Sequence, residues 1–267
     1  MVDIHSHILP LIDDGSHSLD ESVAMLQRSV ASGVHAIVAT PHLFPGYYTA
    51  STQERNEAIA ALQEEANRCK LPIKILPGRE CFGNLELYQY EKDVNQLTIM
   101  PGGKYLLMES PMHGIPGYVD EMITDLRAKR ITPILAHAER YADVIENPNL
   151  LQNYIAQGCL IQINVGSLLG KFGKAIQRTA EILLLHRMGH IVASDMHSRN
   201  SVALGEGFDV LAKLVGIDET KALVSERPRA VVQKRRVKRW EPLEYRPEKR
   251  LKNLWGLIPS PQKTGTR

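Results

Sequence analysis

Cysteine is scarce in this chain of 267 residues: Cys69, Cys81 and Cys159 are the three present. None lies in a CxxC pair or at zinc-ribbon spacing, which excludes a disulfide scaffold and a closed thiolate metal site and points to a reducing compartment. None is followed six positions on by arginine, since those positions hold Ile75, Leu87 and Val165. That argues against a cysteine nucleophile in an arginine-bearing phosphate loop. Long apolar runs are missing too, and none approaches the ~20 residues of a membrane-spanning helix. The opening MVDIHSHILP has neither the basic nor the apolar stretch of a signal peptide. The expectation is a cytoplasmic protein. Internal repeats and low-complexity tracts are also absent.

A strong charge of one sign is lacking only on average. The formal net charge is +2, yet from Arg227 onward there are 13 Lys/Arg against 3 Asp/Glu, a balance of +10, so residues 1–226 carry −8. An acidic body with a basic tail marks a charged partner or a membrane surface as a question to ask.

Composition is otherwise that of a soluble globular protein, with 43% apolar and 23% charged residues. Short β-branched runs fall at 2–5, 34–40, 73–78, 104–109, 131–137, 159–165 and 189–195. Most are continuously apolar, as strands buried on both faces should be. Amphipathic stretches alternate with them. Ser18 and Glu21 have capping-box spacing and open a helix that Gly33 can close. Further helices are expected at 51–69, 117–129, 147–157 and 174–188, then at 202–215, 218–225 and 227–234. About seven βα units in one domain imply a closed or nearly closed α/β barrel. The expected division is a barrel domain over 1–239 and a basic, partly disordered tail over 240–267.

Histidines and carboxylates recur where the strand runs end. The first run ends in His5 with His7 just beyond, and Asp13 and Asp14 lie in the next loop. His42 follows the second, Glu80 the third, and Glu109 ends the fourth. His137 ends the fifth, Asn164 lies in the sixth, and Asp195 and His197 end the seventh. In an α/β barrel those carboxyl ends meet on one face. Nine candidate metal ligands would then share a pocket: His5, His7, Asp14, His42, Glu80, Glu109, His137, Asp195 and His197. Four carboxylates gathered without cations would repel one another, and divalent metals resolve that conflict. Imidazole and carboxylate donors without thiolate suit Mn, Fe, Zn or Co. Asp13 reads as a turn residue. His17, His35, His113, His186 and His190 fall outside the pattern and read as surface or helix-end histidines.

The stretches HSHILPLIDDG, ATPH, GRE, LLMES, AHAERY and ASDMH resemble the polymerase-and-histidinol-phosphatase (PHP) superfamily. More closely, they resemble the bacterial PHP-type protein-tyrosine phosphatases of capsule and exopolysaccharide loci. The likeness covers residues 1–235, and AHAERY with SDMH is its most specific part. It implies a distorted seven-stranded barrel with three divalent metal ions, commonly manganese. By that resemblance one metal takes His5, His7, Glu80 and Asp195, a second takes Glu80, Glu109 and His137, and a third takes Asp14, His42 and His197. Arg140 matches a phosphate-holding arginine, and Arg199 is the candidate for a second. The implied substrate is phosphotyrosine on a cognate bacterial tyrosine kinase that controls polysaccharide synthesis.

The expected chemistry is in-line attack on phosphorus by metal-bound hydroxide, without a phosphoenzyme. His42 or His197 could assist the leaving group. Three alternatives stay open: another PHP phosphoesterase (histidinol phosphatase or nuclease), a metal-dependent amidohydrolase, and a non-catalytic regulatory module. Trp240, Tyr245 and Trp255 among basic residues make single-stranded nucleic acid a conceivable ligand of the tail. A solvated extension, or contact with an acidic partner or an anionic membrane, is the expectation instead.

Overall fold

The structure is a computed structural model, and it describes residues 1–83, 87, 91 and 93–247. All strands pair in parallel. Val2–Asp3 (β1), Ala36–Ala39 (β2) and Lys74–Pro77 (β4) form one sheet in that order. His42–Leu43 (β3), Glu80–Phe82 (β5), Tyr105–Glu109 (β6), Thr132–Leu135 (β7), Leu160–Asn164 (β8) and Ile191–Ala193 (β9) form the other. Among the described residues there are thus nine strands where seven runs were expected, because pairing resumes as β3 and β5 just beyond the ends of the second and third runs. Pro41 has no N–H for the ladder between β2 and β3. Gly78 sits between β4 and β5, where a Cβ would come within 2.6 Å of Val38 Cγ1. The interruption is local. Ala39 pairs with Pro77 before it and His42 with Glu80 after it, so the register is unchanged.

Beyond β1 and β9 the two sheets join into one curled sheet. Ser6 bridges Met196 in parallel. His7 N–H donates to Met196 O at 2.9 Å and Asp195 N–H donates to His5 O at 2.9 Å. Thr40 N–H donates to Ser6 O at 2.9 Å on the other side.

Period-two alternation splits the core. Val38, Leu76, Leu107, Ile134, Leu160 and Ile191 fill the barrel interior. Ile37, Ile75, Leu106, Leu135, Ile161 and Val192 face the surrounding helices. Those include Leu19–Ala31 (α1), Thr52–Arg68 (α2), Tyr118–Ala128 (α3), Lys174–Leu185 (α4) and Phe208–Val215 (α5). At α2 the capping box is complete between Ser51 and Glu54. At α1 it is half made. The Ser18 side chain accepts from Glu21 N–H, but Glu21 Oε2 accepts from His17 N–H instead of from Ser18.

The expected helix at 202–215 begins as a 3-10 turn, Leu204–Gly207, and Asp218–Ser225 is covered by Ile217–Lys221 followed by a π-helical turn, Ala222–Glu226. Only part of the expected tail is described. Residues 240–247 are docked on the barrel: Leu243 N–H donates to His186 O at 2.8 Å, and Asn149 exchanges two 2.8 Å hydrogen bonds with the Tyr245 backbone. The rest of the tail, with Trp255, lies outside the described residues. Among the described residues no helix is long and apolar enough to cross a membrane.

Candidate metal centre

Strand parity accounts for much of the site. Tyr105 and Leu107 point inward, so Glu109 does too, and Gln162 and Asn164 follow Leu160 on the inner face of β8. His137 has the opposite parity to Ile134 and Ala136. Its backbone is left-handed, with φ 35°, and its Nε2 reaches Glu80 Oε1 at 3.0 Å. Asp195 is also left-handed, with φ 53°. Such conformations are uncommon outside glycine and persist where surrounding structure enforces them.

Eight of the nine expected ligands fall into three overlapping groups, and His137 lies beside them. The first is His5, His7, Glu80 and Asp195, and the second is His42, Glu80 and Glu109. The third is His7, Asp14, His42 and His197, and within each group the donor atoms lie within 4.8 Å of one another. Glu80 Oε2 stands at the middle, 3.1 Å from His5 Nε2, 3.2 Å from His7 Nε2 and 3.2 Å from His42 Nδ1. His42 therefore completes the set around Glu80 and Glu109, where the expectation placed His137. His137 Nε2 meets Glu80 Oε1 and lies 4.0 Å from Glu109 Oε2. The third group is the open one, because the Asp14 side chain is 49% exposed while that of Glu80 is 0% exposed.

These side chains fit metal ions. Glu80 Oε2, Asp195 Oδ1 and His42 Nδ1 are buried and have no hydrogen-bond partner. Buried polar atoms are otherwise nearly always satisfied. Protonation shows the same demand for positive charge. Burial opposes a charged His5, but Glu80 and Asp195 hold it up to about 8. Burial opposes a charged His42 too, yet Glu80 with Asp14 and Glu109 lifts it to about 10. Burial likewise works against the Glu80 and Asp195 carboxylates, and the facing imidazoles nonetheless pull both well below the usual range. A divalent cation would supply the charge that protons otherwise provide.

A second set of residues aims the imidazoles. Gln162 Nε2 donates to Asn164 Oδ1 at 2.8 Å, which leaves Gln162 Oε1 to accept from His5 Nδ1 and from His137 N–H, both at 3.0 Å. His5 therefore presents its Nε2 lone pair to the cluster. Asn164 Nδ2 donates to Asp195 Oδ2 at 2.7 Å. Buried Glu139 accepts from Asn164 N–H at 3.0 Å and from Ser167 Oγ at 2.5 Å, which anchors β8. Asp13 is more than the turn residue expected. Its Oδ1 accepts from Gly15 N–H, while its Oδ2 accepts from His7 Nδ1 at 2.7 Å and from His42 N–H at 3.0 Å. Although burial disfavours its charge, His7 holds Asp13 down to about 2. Gln162 is the residue that sequence reasoning missed. Its only advance signal was an amide inside an otherwise apolar run.

A cavity of 440 Å³ opens over the cluster, lined by ligand side chains with Met112, Arg140, Phe172 and Ser201. Arg140 is the one Lys or Arg in this lining. Its Nη1 is 3.3 Å from Asp195 Oδ2, and its guanidinium lies over the Phe172 ring, 4.6 Å from the centroid. Arg199 is not brought in. The Ser201 hydroxyl accepts from His197 and Ser198 N–H, closing a turn that carries Arg199 outward. There Arg199 is exposed and its carbonyl accepts from Arg28 Nη1 at 2.9 Å. No cysteine lines the cavity. Cys69 is exposed, whereas Cys81 and Cys159 are buried and burial pushes both thiols up to about 12. His190, expected at the surface, is buried before β9, where its Nδ1 accepts from Ile161 N–H at 3.1 Å.

Comparison with known proteins agrees with this arrangement. The tyrosine-protein phosphatase YwqE of Bacillus subtilis is 36% identical over 201 residues, 74% of this chain and 78% of that protein. The tyrosine-protein phosphatase CpsB of Streptococcus pneumoniae is 30% identical over 240 residues, 87% of this chain and 98% of that one. Crystal structures of these two proteins, described as unique metal-dependent tyrosine phosphatases, include a chain that matches with a TM-score of 0.86 and 32% identity, covering 92% of this chain and 100% of that one. The family model for capsular polysaccharide synthesis, CpsB/CapC, matches residues 1–233. The chain belongs to this CpsB/CapC family.

Proposed function

We propose that the protein is a metal-dependent protein-tyrosine phosphatase, acting in the cytoplasm on a bacterial tyrosine kinase that governs capsule or exopolysaccharide synthesis. The observation that carries this reading is the Glu80 carboxylate, whose Oε2 has three imidazole nitrogens within 3.2 Å and no hydrogen-bond partner. The donor groups match three divalent ions, with manganese as the proposed metal. His5, His7, Glu80 and Asp195 would hold one. Glu80 and Glu109 with His42 or His137 would hold another, and Asp14, His42 and His197 a third. When bound, such ions neutralise phosphoryl oxygens and activate a water for attack on phosphorus.

The chain's own residues do the rest. Arg140 reaches the cavity beside Asp195 and can hold a phosphoryl oxygen as charge develops on it. Phe172, 44% exposed beside that guanidinium, offers an apolar wall to an aryl leaving group. A phenolate leaves readily, so a strong general acid is less needed than for an alkyl ester. His197 is the most exposed imidazole lining the cavity, and its Nδ1 is held 3.0 Å from Asp195 O. Neither buried cysteine is placed or charged for nucleophilic attack, which favours a route with no cysteine phosphoenzyme.

The test is hydrolysis of phosphotyrosine peptides, and of a tyrosine kinase encoded near this gene, before and after chelation and across added metals. Turnover should vanish on chelation and return with manganese. Undiminished turnover after complete metal removal would overturn the reading.

A further inference from the structure

The end of the barrel opposite the metal centre has a different surface. A cleft of 290 Å³ opens there at the amino-terminal ends of β6, β7 and β8. Lys104, Arg127, Arg130, Arg236 and Arg239 line it, and no carboxylate does. None of these five cations makes an ion pair among the described residues. The cleft runs into a second hollow formed by residues 236–239, with Arg236, Lys238 and Arg239. On its other side Arg236, Lys238 and Trp240 also border a larger cleft that holds Asp218, Glu219 and Glu226, where Glu219 is paired with Arg227 at 2.8 Å and the basic side chains Lys221, Arg235, Arg236 and Lys238 outnumber the two remaining carboxylates.

The chain is built to present these charges. Tyr105 OH donates to Arg235 O at 2.7 Å and accepts from Val237 N–H at 3.0 Å, which pins the segment across the barrel floor. Val237 is buried in the interior core, 3% exposed, so its neighbours Arg236 and Lys238 point out. Trp240 follows at 40% exposure, with Lys238 Nζ 4.5 Å from its ring centroid, and Leu243 is 46% exposed. Beyond the described residues the sequence continues with Lys249, Arg250 and Lys252 beside Leu251, Leu254, Trp255, Leu257 and Ile258.

We propose that this amino-terminal end of the barrel docks on an anionic phospholipid surface, with Lys104, Arg127, Arg130, Arg236, Lys238 and Arg239 facing the phosphates and Trp240 at the headgroup level. Unpaired cations of one sign complement a sheet of phosphates, and each gains from the negative surface potential. Tryptophan beside basic side chains suits the interfacial zone, where an apolar ring and a polar edge are both satisfied. An acidic protein partner would need neither the exposed indole nor the apolar, basic composition that follows it. Docked this way, the metal centre at the other end of the strands faces away from the bilayer and stays open to a protein substrate. The inference does not depend on the reading of the metal centre.

The test is flotation of the full chain with vesicles of phosphatidylcholine alone or with about 30% phosphatidylglycerol, at low salt and at 0.5 M salt. Binding should require the anionic lipid and fall at least about tenfold at high salt. The triple variant Arg236→Glu, Lys238→Glu, Arg239→Glu should lose about tenfold or more in binding, with an unchanged urea-unfolding midpoint as the control for folding. Trp240→Ala should weaken binding a fewfold, and on neutral vesicles neither variant should differ from wild type. Equal binding to neutral vesicles, no binding to anionic ones, or wild-type binding by the triple variant would overturn the proposal. So would tighter binding to poly-glutamate or to an oligonucleotide than to anionic vesicles at equal anion concentration.

Discussion

The two ends of this barrel treat the same side chain in opposite ways. Burial disfavours the charged imidazole at both. At the carboxyl end, Glu80, Asp14 and Glu109 outweigh burial and His42 is lifted to about 10. At the amino end, burial together with Arg227 and Arg239 pushes His190 down to about 3. One end is an excess of carboxylate that calls for cations, and the other is an excess of cations that calls for anions. The average charge of the chain conceals both. What separates them is the length of the strands, since a parallel sheet puts every strand start on one side and every strand end on the other.

The most severe way to break the carboxyl end is to remove what it coordinates. Chelation, His7→Ala or Asp195→Ala should each drop aryl phosphate turnover to near background, measured as kcat with metal content read in parallel. Arg140→Ala should leave metal content intact and cost about 100-fold in kcat/KM, as loss of one transition-state donor does. Arg199→Ala should stay within about twofold, because that side chain touches nothing in the cavity. An equal loss in the two variants would reverse that assignment.

Smaller effects sharpen the contrast. Gln162→Leu removes the acceptor that orients His5, and metal affinity should fall about 10–100-fold with the fold retained. Manganese titration by calorimetry measures it, and unchanged affinity would show that Gln162 has no orienting role.

At the amino end the readout is stability. An unfolded histidine titrates near 6.5 and His190 in the fold titrates at about 3, so the unfolded chain binds the extra proton in between. The His190 contribution is therefore fully present above pH 6.5 and is lost as pH falls toward 3, on the order of 3–5 kcal/mol in all. His190→Asn keeps an acceptor for Ile161 N–H and should flatten this part of the urea-unfolding profile between pH 7 and 4. The smallest expected change is in Phe172→Ala, which should lower the preference for aryl over alkyl phosphates by about fivefold. An unaltered preference would remove the ring from substrate selection.

The parts of the fold visible in the sequence were those with unbroken apolar character. All seven runs contain strands because both faces of a parallel sheet are buried, and eight of the nine ligands were legible because they end or closely follow those runs, Asp14 lying in the loop after the first. What escaped needed spacing in three dimensions. The second and third runs end at Thr40 and Gly78, yet pairing resumes past them as β3 and β5 in the same register, which the apolar pattern does not show. Asp13, in a Asp-Asp-Gly turn, looks like loop chemistry until His7 is seen against it. Arg199 is near His197 in sequence but lies on the outer side of a turn closed by Ser201. His190 precedes a strand and resembles any loop histidine until Arg227 packs over its carbonyl at 3.2 Å. His42 and His137 divide the space around Glu80 and Glu109 by ring orientation, which spacing does not encode.

One strand holds a concentrated vulnerability. Gln162 and Asn164 sit two positions apart on β8 and, between them, reach His5, His137 and Asp195. Isoleucines at 161 and 163 occupy the opposite face. Inserting a single residue ahead of Ile161 would exchange the two faces, presenting Ile161 and Ile163 to the ligands and both amides to the helices. Every ligand would remain in the chain, and the centre would lose its aim. In this barrel the frame of one five-residue strand is as much a part of the active site as any histidine.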